Sequence, residues 1–125
     1  MGSEPRLLQG LRVLDAASFI AGPVATTAMA DFGADVVGFH LACPWGGGPT
    51  IARDAASGLA LFRLAASRRR RPSRTVGLPE SNTAAGAFLA GLGITAERFV
   101  TRMWLGTPPR WCPDMIFGVF NFGVA

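Results

Sequence analysis

The chain has 125 residues, half of them hydrophobic and 16% charged, with a formal charge of +4 carried by twelve arginines and no lysine. That balance excludes an intrinsically disordered chain. Two cysteines and aperiodic glycines exclude a disulfide scaffold and a collagen-like fibre. No apolar run reaches the roughly 18 residues of a membrane helix, and Arg6, Gln9 and Arg12 interrupt any signal-peptide core. The expectation is one domain, or part of one, in the cytoplasm, with Cys43 and Cys112 as reduced thiols.

In chain order, Leu11, Val13 and Leu14 form a short apolar run that ends on Asp15, the pattern of a buried strand. Gly22-Pro23 signals a helix start. Val24 to Phe32 supplies the helix, and Gly33 stands where a C-terminal cap belongs. Residues 34–40 read as a second buried strand, which completes a βαβ unit. Residues 41–57, with CPWGGGPT at their centre, read as a loop. Ser57 to Ala66 has helical spacing, and Arg68 to Arg71 is a charge run broken by Pro72. Arg74 to Leu78 is predicted as a third strand, Asn82 to Leu92 as an Ala-rich helix and Arg98 to Thr101 as a short fourth strand. Trp104 to Pro113 reads as a loop and Met115 to Phe120 as a fifth strand. Alternating strands and helices predict an α/β fold: a Rossmann-like, mainly parallel sheet with flanking helices. Phe117, Val119, Phe120 and Phe122 need covering partners, which predicts a chain cut short or a surface buried by a second subunit.

The chemistry legible from residue types is sparse. Gly46-Gly47-Gly48 lacks Walker spacing and the chain has no lysine, so a P-loop is excluded. The triplet reads as a connection rather than a phosphate cradle. Arg68 to Arg71, with Arg74 behind, is either a solvated surface run or a grip for phosphate. No basic stripe or known motif supports nucleic-acid binding. His40, the one histidine, could act as a base at a strand end but has no carboxylate partner in its segment. One histidine and two distant cysteines make no metal set. Asp15 ends the first strand, where α/β folds place ligands, and it equally suits capping of the turn that follows.

The stretch GLRVLDAASFIAGPVATTAMADFGADVVGFH resembles the opening of the family III CoA-transferases (the CaiB/BaiF family), which include formyl-CoA and carnitine CoA-transferases and the related α-methylacyl-CoA racemases. The likeness is carried by Leu8, Gly10, Arg12, Val13, Leu14, Asp15, Ser18, Ala21, Gly22, Pro23, Ala25, Ala30, Asp31, Gly33, Ala34, Asp35 and Val36. It is densest over residues 8–40 and sparser over 41–125. Pro44 to Arg53 resembles a PxxGDxxR loop with Gly48 in place of Asp, and Ser67 to Leu78 resembles NRxKRSVTLDL. Phe99 to Thr107 resembles VVENFRPGT with Arg102 for Asn and Trp104 for Arg, and Pro113 to Gly123 resembles the strand that follows.

The resemblance implies a single partial domain over residues 1–125, a truncated N-terminal portion of that family's fold. It implies that Ile20 and Ala21 line the thioester site, although Ile20 offers no side-chain donor to an oxyanion. Val76, Gly77, Leu78 and Pro79 would form the adenosine-side wall. Arg102, Met103 and Trp104 would form a CoA-contacting turn, and Arg110 would meet the CoA phosphates. His40-Leu41 replaces the family's Glu-Arg pair. CoA or acyl-CoA enters as substrate, with no permanently bound cofactor and no metal. Small acyl-CoA molecules are the implied partners, without nucleic acid or membrane, and the intact family forms interlocked homodimers. The implied reaction moves CoA between carboxylic acids through an aspartyl thioester. The family's nucleophilic aspartate lies after the matched segments, so no catalytic residue is assigned. An α-methylacyl-CoA racemase-like fragment, a non-catalytic CoA-binding module and a decayed product are the alternatives.

Overall fold

The structure, a computed structural model, describes residues 5–17, 21–43, 46–68 and 76–119. The elements run β1 (Arg12–Asp15), α1 (Ala21–Asp31), β2 (Asp35–Cys43), β3 (Gly46–Ala52), α2 (Ala55–Arg68), α3 (Thr83–Gly91), a 3-10 turn (Pro113–Met115) and β4 (Ile116–Gly118). The four strands form one sheet in the order β1-β2-β3-β4. The α/β class holds, and β1, α1 and β2 stand where the sequence puts them.

The sheet is less parallel than predicted. β1 and β2 pair parallel, with Asp15 opposite Phe39, while β2–β3 and β3–β4 pair antiparallel. The difference arises inside the stretch read as a loop over 41–57. Three glycines and Pro49 argue against a strand, yet Gly46 pairs with Cys43 and Thr50 with His40. The register shifts between these pairs, and neither Gly48 nor Pro49 occupies a paired position. The missing N–H of Pro49 therefore falls at an irregularity, where the ladder needs no donor. Two further strand expectations are corrected. Residues 76–78 are not a strand, although the Gly77 carbonyl accepts a 2.9 Å hydrogen bond from the Val119 N–H. Arg98 to Thr101 is exposed and irregular, with no strand among the described residues paired to it.

α1 ends as its sequence dictates. Gly33 has φ +99°, a conformation L side chains avoid, and a Cβ there would also crowd Arg6. The N–H groups of Gly33 and Ala34 satisfy the carbonyls of Ala30 and Met29, and the chain then enters β2 through a 2.8 Å bond from Asp35 N–H to the Leu11 carbonyl.

The core is built against one face of the sheet. Ala52 of β3, Leu61 and Phe62 of α2, Ala85 of α3 and Phe117 of β4 are its buried members. Leu14, Leu59, Val76, Leu78, Phe88 and Leu89 pack around them. Gly58, Leu61 and Phe62 share one face of α2 by helical spacing. Phe117 lies edge-on to Phe62 at 5.8 Å and seats its ring directly over Gly58, where any Cβ would overlap it. Phe117 thus finds its cover within the chain, while Phe120 and Phe122 lie outside the described residues. Asn82 caps α3 and ties it to the 3-10 turn and β4. Its Oδ1 accepts from Ala85 N–H at 3.0 Å, and its Nδ2 donates to the carbonyls of Ile116 at 2.9 Å and Asp114 at 3.3 Å.

Candidate ligand site

The parallel pair β1–β2 points its C-terminal ends toward the start of α1, the position at which α/β folds receive ligands. Asp15 organises that end. It is 8% exposed. Its Oδ1 accepts from Ala17 N–H at 3.0 Å and its Oδ2 from the Thr26 hydroxyl at 2.9 Å. One carboxylate therefore fixes both the turn leaving β1 and the second turn of α1. Gly22 is required by the same close approach. A Cβ there would overlap that of Ala17 and sit 3.1 Å from Asp15 Oδ1. Asp15 is a turn-holding residue with both oxygens engaged, the capping role rather than that of an exposed nucleophile. No acidic residue stands in the first turn of α1, so the positive end of the helix is not neutralised from within.

Ala21 opens α1 at this end, and Ile20 lies outside the described residues. Val76 and Leu78 pack on the core, Gly77 is buried and Pro79 is half-buried. This group lies beside β4, the sheet edge opposite β1. Three strand spacings, about 14 Å, separate the two edges. Arg102, Met103, Trp104 and Arg110 are exposed to solvent. There Arg102 stacks its guanidinium 3.7 Å from the centre of the Trp111 ring and 5.9 Å from that of Trp104, a cation–π cluster that sequence inspection misses because Trp111 is nine positions away.

His40 is buried and bonded through Nδ1 to the Thr50 hydroxyl at 2.8 Å, which joins β2 to β3 instead of presenting a base to solvent. Among the described residues no group of three His, Cys, Asp or Glu side chains could hold a metal ion. The charge run at Arg68 to Arg71 and Arg74 falls outside the described side chains.

The opposite end of the sheet carries a charged network. Arg12 donates to Asp54 at 2.6 Å and to the Ser57 hydroxyl at 3.1 Å, while Arg53 grips Asp35 with both terminal nitrogens. Asp54 also caps α2, accepting from Ser57 N–H at 2.8 Å. The Arg53 hydrogen bonds hold the Asp35 carboxyl below its ordinary range, and the Ser57 N–H does the same for Asp54. An open cavity of about 280 Å³ beside this network is lined by Arg53, Asp54, Asn82, Thr83 and Asp114. Three of its polar groups are already committed to caps or ion pairs.

The stretch that builds the Asp15 end is also the stretch that known sequences recognise. Residues 8–40 match the CoA-transferase family III model. The match spans β1, α1 and most of β2 and ends before the antiparallel strands begin. No curated protein and no solved structure gives a significant match to the chain.

Proposed function

We propose that this chain is a CoA-transferase-like protein that binds CoA or acyl-CoA, with the turn between β1 and α1 facing the thioester. The observation that carries this reading is the coincidence of the family match with the Asp15–Gly22–Thr26 lock, which fixes that turn at the ligand end of the parallel pair. Ala21 opens α1 after that turn. Arg102, Met103, Trp104 and Arg110 are in solvent and accessible to a nucleotide, the last as a phosphate ligand. Val76 and Leu78 would contribute through their backbone and rim, since their side chains pack on the core.

The family reaction needs a carboxylate that attacks the thioester, releases the CoA thiolate and is then captured by it. Of the carboxylates described, Asp15, Asp35 and Asp54 are engaged as above, and none falls in a segment that resembles the family's nucleophile. The reading for the residues described is therefore CoA binding, with no catalytic carboxylate assigned among them. Calorimetric titration with CoA tests it. We expect saturable binding that weakens about tenfold or more in Arg110→Ala, the scale of one lost charge-assisted contact. A cooperatively folded protein that takes up no CoA would overturn the reading.

A further inference from the structure

Every residue from 91 to 112 is exposed, and residues 94–112 contain no helix or strand. Ordinary connections are far shorter, and long ones are commonly functional. Composition sets this stretch apart from a solvated loop. Leu105 is fully exposed, Met103 85%, Phe99 76% and Trp104 54%, with Leu92, Ile94, Val100 and Trp111 also in water. Interleaved with them are Arg98, Arg102 and Arg110 against a single acid, Glu97, a local charge of +2 on a chain of +4. We propose that this segment docks on an anionic lipid bilayer surface. Large apolar side chains would enter the boundary between headgroups and acyl chains, and the arginines, Arg102 and Arg110 included when CoA is absent, would meet the headgroup phosphates. Trp104 and Trp111 are of the amphipathic type enriched at that depth. Arg102, stacked on both rings, keeps its charge beside the apolar surface instead of away from it.

The aliphatic members decide between lipid and single-stranded nucleic acid. Stacking on bases uses aromatic rings and arginine, and gives Leu92, Ile94, Val100, Met103 and Leu105 no role. The sequence expectation of no membrane partner came from the lack of a spanning segment. No helix among the described residues is long and apolar enough to cross a membrane, and surface docking requires none.

Co-sedimentation with vesicles of phosphatidylcholine plus phosphatidylserine, and with phosphatidylcholine alone, tests the proposal. We expect partition that favours the anionic vesicles and falls as salt is raised. The double variant Phe99→Glu/Leu105→Glu should lose at least about tenfold of it, and Arg98→Gln about fivefold, on the anionic vesicles only. Both variants alter side chains in solvent, so thermal unfolding should match the parent. Absence of partition, or equal partition of the double variant, would overturn the proposal. So would binding of an oligonucleotide or of a second copy through these residues in place of the vesicle. The variants avoid every residue assigned to CoA, so their CoA titration should be unchanged, and the two readings fail separately.

Discussion

Two regions of this molecule divide the work. Residues 8–40 carry the family signature, yet none of the five buried members of the core cluster lies in them. α1 has no buried residue among those described, and Val24 and Phe32 are more than half exposed. Its buried apolar side chains among the described residues are few, Ala34 and Val37, and its distinctive restraints are local: a carboxylate spanning two turns, a glycine under a methyl, a glycine at positive φ. Beyond residue 46 the order is reversed. There the signature fades, and Ala52, Leu61, Phe62, Ala85 and Phe117 supply the burial. A recognisable motif marks where backbone geometry is exacting, which need not be where folding free energy resides.

The largest expected effect tests the second half of that contrast. Phe117→Ala removes a fully buried ring that touches Phe62 and lies over Gly58. Truncation of a buried Phe costs about 3–5 kcal/mol, a large part of the stability of a domain this size. Urea unfolding should show a much lower midpoint or no folded baseline. A loss below about 1 kcal/mol would mean that the core lies elsewhere.

Thr26→Val probes the signature region and should cost less. It leaves Asp15 Oδ2 without its 2.9 Å donor, a penalty of about 1–3 kcal/mol for a buried acceptor. Thermal unfolding should place it well above Phe117→Ala, while CoA binding should suffer more in Thr26→Val than its modest instability explains. Equal destabilisation by the two variants would erase the distinction between the regions.

The two regions were not equally legible in the sequence. The βαβ unit was readable because its punctuation is strong: a short apolar strand ending on Asp15, Gly-Pro at the helix start and Gly33 at its end. β3 was not, because its strand character comes from pairing on both sides while its own composition, GGGPTIA, argues for a turn. With β3 missed, the two antiparallel pairings could not be foreseen and the sheet read as mainly parallel. Arg98 to Thr101 failed in the opposite sense, as a plausible apolar run with no strand among the described residues paired to it. Of the site, Asp15 was legible as a strand-end carboxylate that could cap the next turn. Its partner Thr26, eleven residues on, needed the helix register. The sequence places Asn82 inside the Ala-rich helix; its cap on Ala85 N–H and its two bonds to the backbone of residues 114 and 116 emerge only from the structure.

The smallest effect tests how the regions are joined. Both ion pairs among the described residues cross between them: Arg12 of β1 to Asp54 at the head of α2, and Asp35 of β2 to Arg53 after β3. Both carboxyls titrate below their ordinary value in the folded chain, through the Arg53 hydrogen bonds at Asp35 and the Ser57 N–H at Asp54. A depressed carboxyl stabilises the fold fully above its unfolded pKa, near 4, and loses that contribution as pH falls through the folded value. These groups should leave stability level between about pH 5 and 8 and lower it toward pH 3. Their exposure keeps the effect small. High salt should screen the Asp35–Arg53 contribution at neutral pH, but not the Asp54 cap, which is a hydrogen bond to backbone. Asp35→Asn should therefore flatten the acid slope of the urea midpoint and remove part of its salt dependence. Asp54→Asn should flatten the slope while keeping the cap, because Asn serves there as well as Asp. An unchanged slope in both variants would assign acid sensitivity to other carboxyls and leave the β2–β3 ladder, with its buried His40–Thr50 bond, as the joint between the regions.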